Sequence, residues 1–110
     1  YSQAIATDTL VFCSGQGPMD PETNALVEGD VAVQTERTME NIKALLAEMD
    51  LDFSDVVKST CYLADMDDFK AFNEVYGSYL PEPYPARTTI QAARLPLDIL
   101  VEIEVIAQRR

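Results

Sequence analysis

The final quarter of the chain reads Ala86-Arg87-Thr88-Thr89-Ile90-Gln91-Ala92-Ala93, then Arg94 and the turn Leu95-Pro96-Leu97-Asp98, then Leu100-Val101-Glu102-Ile103-Glu104-Val105-Ile106-Ala107-Gln108. Both flanking runs are rich in β-branched residues and alternate in character, as strands do. In the last run Val101, Ile103 and Val105 point one way while Glu102 and Glu104 point the other. The preceding run sends Arg87, Thr89 and Gln91 to one side. A strand pair with one apolar face needs a partner layer, and the rest of the chain supplies it.

Working back toward the N-terminus, Pro81, Pro83 and Pro85 force an extended entry and end a helix that starts near Asp67. Met66 stands in staple position before it, and Phe69, Phe72, Val75, Tyr76 and Tyr79 form its apolar stripe. Residues Val56 to Ala64 read as a strand. An earlier helix follows the N-cap candidate Asp30 and runs to about Met49, with Val31, Met39, Ile42, Leu45, Leu46 and Met49 at helical spacing. Gly15 to Gly29 is a loop crowded with Gly, Pro, Asp and Asn. Two short strand-like runs, Gln3–Ala6 and Leu10–Cys13, open the chain around the turn at Thr7-Asp8-Thr9.

The predicted order is therefore ββαβαββ over a single domain, residues 1–110. Two helices cover one face of a mixed sheet, an α+β two-layer sandwich. With the helices on the apolar side, the second face is expected to mix the carboxylates of Glu102 and Glu104 with Arg87, hydroxyls and methyls. Such a face is either solvated or packed against other subunits with polar pockets at the seams.

Composition narrows the chemistry. The 110 residues hold 8 Lys+Arg against 19 Asp+Glu, a net charge of −11, and no histidine or tryptophan. Absence of histidine excludes Ser-His-Asp and Cys-His nucleophile systems and His-containing zinc sites. The acidic balance opposes nucleic-acid binding, because that affinity comes from cations displacing counterions at phosphates. With 47% hydrophobic residues the chain is expected to be globular rather than disordered. No apolar run approaches the ~20 residues of a membrane span, and no basic flank precedes an apolar run at the start, so no membrane association is expected, and the location is expected to be the cytoplasm or, after removal of an N-terminal segment, an organelle. Cys13 and Cys61 each lie within apolar β-like runs and read as reduced, buried side chains. A core of this size is small, and oligomerisation would reinforce it.

Few residues are left to carry chemistry. Arg87 is one of four Lys and Arg side chains after residue 70. Its planar fork suits bidentate capture of a carboxylate, or it forms a structural ion pair with one of the many acids. Glu102 and Glu104 on an otherwise aliphatic strand are solvated, ion-paired, or half-buried with a raised pKa suited to proton transfer. Ser14-Gly15-Gln16 closes a strand, and its backbone N–H groups can bind an oxyanion or form a plain turn. Asn73 reads as a helix-surface amide unless it faces the sheet edge. In the acidic run Asp65, Asp67 and Asp68, the last two start a helix, favoured by its dipole, and the run lacks calcium-loop spacing, so no metal is expected there.

The segment from Pro85 to Pro96 with Val101–Ala107 closely resembles the C-terminal signature of the RidA (YjgF-like) family. Tyr1-Ser2-Gln3-Ala4, Ser14-Gly15-Gln16, Asp20-Pro21-Glu22-Thr23, Glu40-Asn41-Ile42-Lys43-Ala44, Asp55-Val56-Val57-Lys58 and Phe72-Asn73-Glu74-Val75-Tyr76 extend the likeness in family order across the chain. The resemblance implies a chorismate-mutase-like sandwich, assembled as a homotrimer around a central barrel with active sites between subunits. It implies hydrolytic deamination of reactive enamines and imines such as 2-aminoacrylate to 2-keto acids and ammonia, with no cofactor or metal. Small 2-imino and 2-keto acids are then the expected ligands. Arg87 would hold the substrate carboxylate and Glu102 would position or activate water. Tyr1, Ser14, Gly15 and Asn73 would line the pocket, and Thr89 would contribute backbone polar groups. Thr88 and Thr89 depart from the Ser-Cys pair that many members carry; because Thr89 would act through its backbone, the departure is expected to be tolerated, with room for an altered substrate range. A non-catalytic trimer that binds keto or amino acids is the alternative implied by the same likeness. Ribonuclease or translation-inhibiting activity, also associated with relatives, is disfavoured by the acidic charge.

Overall fold

The computed structural model describes all 110 residues, Tyr1–Arg110. Its elements are β1 (Ala4–Ala6), β2 (Leu10–Cys13), α1 (Val31–Glu48), β3 (Val56–Leu63), α2 (Phe69–Ser78), β4 (Ala86–Gln91) and β5 (Val101–Gln108). The ββαβαββ order and the α+β class are as the sequence predicts. The strands form one sheet in the order β1-β2-β5-β3-β4. β5 runs antiparallel to both β2 and β3, and β3 runs parallel to β4. Consequently β2-α1-β3 and β3-α2-β4 are both parallel crossovers that advance in the same direction across the sheet. Crossovers of the usual right hand then place both helices on the same face.

Helix α1 begins where Asp30 Oδ1 accepts a hydrogen bond from the Val33 amide at 3.0 Å, which satisfies one of the free N–H groups of the first turn. Gly29 precedes it at φ +144°, a conformation that L side chains rarely adopt. Its inward face buries Val31, Met39, Ile42 and Leu46, but also Gln34, Thr35 and Thr38. The Gln34 amide is bonded at both ends: Oε1 accepts from Leu100 N at 2.8 Å and Nε2 donates to Val27 O at 3.2 Å. It ties the entry of β5 to the long loop. Helix α2 starts at Phe69, two residues later than predicted, because Met66–Asp68 forms a single 3₁₀ turn. Asp65 caps that turn by accepting from Asp67 N at 2.9 Å. No helix is long and apolar enough to cross a membrane.

The core lies between the helices and Val101, Ile103, Val105 and Ala107 of β5, with Cys61 and Leu63 of β3 and Val11 and Cys13 of β2. Cys13 and Cys61 are buried free thiols, and burial pushes the Cys61 thiol up to about 11.

The register corrects one sequence expectation. Arg87 pairs with Ser59, and Ser59 pairs with Val105; Thr89 pairs with Cys61, and Cys61 with Ile103. Directly paired residues share a face, so Arg87, Thr89 and Gln91 lie on the helix-covered face, not beside Glu102 and Glu104. The alternation along β4 is regular; what the pattern lacks is the alignment of β4 with β3, which turns its polar row to the helix side of the sheet, where Thr89 is half-buried while Arg87 and Gln91 stay exposed.

Candidate functional site

Two separate polar constellations emerge from this register, one on each face of the sheet. The first is built by α2 and the start of β4. Arg87 Nη1 donates to Asn73 Oδ1 at 2.6 Å. The guanidinium carbon lies 5.0 Å from the Tyr76 ring centroid and 5.4 Å from that of Phe69, within the range of cation–π attraction. Phe69, Asn73 and Tyr76 are spaced i, i+4 and i+7, so one stripe of α2 receives the side chain. Asn73, Tyr76, Leu80, Tyr84 and Arg87 line a cleft of about 480 Å³. The three ion pairs of the chain join Arg94 to Asp98 and Arg110 to Asp52 and Asp55. Arg87 takes part in none of them. Of its five N–H donors, one is spent on a neutral amide, and its charge is left for a ligand.

Thr89 sits on the same face two residues on, its Oγ1 buried without a hydrogen-bond partner. β4 is an edge strand, so its outer row of backbone groups is unpaired within the chain. Thr88 points to the other face, where its hydroxyl accepts from Lys58 Nζ at 3.0 Å.

The second constellation lies on the open face and at the end of β2. Glu102 is half-buried and makes no hydrogen bond or ion pair. Burial, and secondly the neighbouring Glu104, push its carboxyl above the ordinary carboxylate range. Glu104 differs: its Oε1 accepts from the Tyr62 hydroxyl at 2.7 Å. Glu102 reaches over Gly15. A Cβ on that residue would lie 2.5 Å from Glu102 Oε2, so only glycine admits the carboxylate there. Gly15 is held in place because Gln16 exchanges backbone hydrogen bonds with Ile103 at 2.8 and 3.0 Å. The Ser14 hydroxyl donates to the Ser2 carbonyl at 2.6 Å, which fastens the N-terminal segment beside the site. Tyr1 is fully exposed and shares a shallow cleft with Gly15 and Gln16.

The predicted site residues thus fall into two groups. Arg87, Asn73 and Thr89 gather on the helix face; Glu102, Gly15 and Ser14 gather around the end of β2 and the open face, while Tyr1 lies in a cleft that Arg37, Asn41 and Glu48 of α1 also line. Sequence reasoning took Phe69 and Tyr76 only as core stripe, and missed them as the bed of the guanidinium. The i, i+4, i+7 spacing around Asn73 is the signal that marks them.

The chain is similar to known proteins along its whole length. The family model for endoribonuclease L-PSP matches residues 1–109. A RutC family protein of Pyrococcus abyssi is 50% identical over 109 residues, covering 99% of this chain and 86% of its own. Reactive Intermediate Deaminase A of Arabidopsis thaliana, a chloroplastic protein, is 49% identical over 107 residues, or 97% of this chain and 57% of its own. The crystal structure of RidA from an Antarctic Psychrobacter superposes with a TM-score of 0.94 at 45% identity, covering 98% of this chain and 87% of that one. With a matching signature from end to end and the same fold, the chain belongs to the endoribonuclease L-PSP family, the YjgF/RidA group.

Proposed function

We propose that this protein hydrolyses small reactive 2-imino acids, and the enamines in equilibrium with them, to 2-keto acids and ammonia. The observation that carries the reading is an arginine without any acidic partner in a chain of charge −11, facing a cleft of small-molecule size. A relative named as a reactive intermediate deaminase, at 49% identity, supports it. The catalytic unit is a homotrimer. Arg87 of one copy and Glu102 of the next share a site, since the two lie on opposite faces of a single chain's sheet.

In that site the Arg87 fork takes the substrate carboxylate through two parallel charge-assisted hydrogen bonds. The imine carbon is already electrophilic. Glu102, as the carboxylate, accepts a proton from water while the water oxygen bonds to that carbon, and hands that proton to the imine nitrogen, which returns Glu102 to its starting state. The resulting carbinolamine expels ammonia as its C–N bond breaks and the carbonyl forms. A positioned base contributes ~10²–10⁴-fold, and fixing the substrate by its carboxylate adds an orientation effect. The family description as an endoribonuclease is a second possibility that the negative charge opposes, because phosphate contacts need clustered cations.

The test generates 2-aminoacrylate or its four-carbon homologue with a dehydratase and follows loss of the imine. Acceleration by the wild type that Arg87→Ala abolishes is the expected result. Equal rates with both proteins would refute the assignment, and keto-acid binding without acceleration would make the protein a binding module instead.

A further inference from the structure

Ser59 is almost fully buried at 1% exposure, inside the inward row of β3 between apolar neighbours. A hydroxyl there costs free energy unless it is hydrogen-bonded. Its partner is the Tyr76 hydroxyl, reached across the helix–sheet interface. Burial pushes the Tyr76 phenol upward, so it remains a neutral O–H at ordinary pH. The Tyr76 ring is in turn stacked on Phe72, centroids 5.4 Å apart. Arg87 is the direct cross-strand partner of Ser59, and its guanidinium lies over the same Tyr76 ring. One hydrogen bond, to Asn73, fixes one corner of a planar group but leaves its plane free to turn. The two aromatic faces supply the missing restraint, and of these rings it is Tyr76 whose position is pinned by a side-chain hydrogen bond.

We propose that Ser59 is a positioning residue for Arg87: its buried hydroxyl pair with Tyr76 fixes the ring on which the guanidinium rests, and so presets the plane of the fork for a planar carboxylate. The inference rests on the reading of Arg87 as carboxylate anchor, but its physical core, order of the Arg87 side chain, is measurable without substrate.

The experiment compares the full-length wild type with Ser59→Ala, Ser59→Thr and Ser59→Ala/Tyr76→Phe, following the Arg87 Nε–Hε group by NMR, imine hydrolysis, pyruvate binding and thermal melting. Losing one modest hydrogen bond's worth of orientation predicts, for Ser59→Ala, a more mobile Arg87 and KM raised about tenfold with kcat within about twofold. Ser59→Thr keeps the hydroxyl and restores both. The double variant leaves no buried hydroxyl unpaired, so it regains melting temperature while Arg87 stays mobile and KM stays high. Arg87 as ordered in Ser59→Ala as in the wild type would overturn the proposal. So would recovery of KM together with stability in the double variant, the mark of a merely structural role. If the wild type neither hydrolyses the imine nor binds pyruvate, yet Arg87 order still follows the Ser59 hydroxyl, the carboxylate reading fails and the positioning role stands.

Discussion

Arg87 and Glu102 project from opposite faces of one sheet, with β3 between their strands: Arg87 is aligned with Ser59, and Glu102 with Tyr62, three residues further along the same strand. Neighbouring strands are about 4.8 Å apart and alternate residues face opposite ways. A molecule the size of a three- or four-carbon acid held by Arg87 therefore stays out of reach of Glu102 in the same chain. The two groups meet only if a second copy brings its open face to the first copy's cleft. Because Arg87 has no ion pair to lose, Arg87→Ala should abolish turnover while melting close to the wild type, as circular dichroism would record; a collapse of stability would mean that the arginine is structural.

Gly15 and the Glu102 carboxylate occupy adjoining space that a single methyl would fill. Gly15→Ala must push the carboxylate aside. The backbone there is not in the left-handed region, so the fold has no other need of glycine at this position. A misplacement on the scale of an ångström predicts a fall in kcat on the order of 10²-fold with little change in melting temperature. Steady-state kinetics beside a thermal melt checks both halves; unchanged kcat would remove Glu102 from the chemistry.

The raised Glu102 carboxyl gives a pH signature. As a base it acts ionised, so kcat should climb with pH along a limb above the ordinary carboxylate range. Glu104→Gln removes the like charge and should move that limb to lower pH without lowering its plateau. For stability the sign is opposite. Between the ordinary value and the raised one the folded chain holds more protons than the unfolded chain, so stability is full below that window and falls as pH rises through it. Glu102→Gln should lose turnover, flatten this slope and melt higher at neutral pH. A pH–rate profile with melts across the same range decides it, and an unshifted limb in Glu104→Gln would contradict the account.

The open face also carries exposed apolar side chains: Ile5, Phe12 and Ile90, with Ile5 directly opposite Phe12. In a trimer with its sheets turned inward these are covered. Ile90→Asp places a charge on the edge strand of that face and should shift the trimer toward monomer with loss of activity, read by light scattering. A wild type that is already monomeric would remove the shared site.

Most of the fold was legible from periodicity. The alternation Val101/Ile103/Val105 against Glu102/Glu104 and the Asp30 cap both hold, because each is a local pattern that the backbone enforces. Gln34, Thr35 and Thr38 were not legible as core, since polarity argues for exposure and only the loop and the β5 entry that Gln34 bonds explain its burial. The candidate site residues came from the resemblance, and nothing in it foretold their division between the two faces. It depends on β4 aligning Arg87 with Ser59, a long-range register that no single strand's pattern encodes.

The shared site makes one demand that a site within a single chain does not. Arg87→Ala and Glu102→Gln should each be inactive alone; unfolded together and refolded as a mixture, they should form mixed trimers. Sites that pair the intact arginine of one variant with the intact glutamate of the other arise with random assembly at about a quarter of all sites in a closed ring, so about a quarter of wild-type imine hydrolysis should return. No recovery from mixed trimers confirmed by mass spectrometry would contradict a site shared between copies.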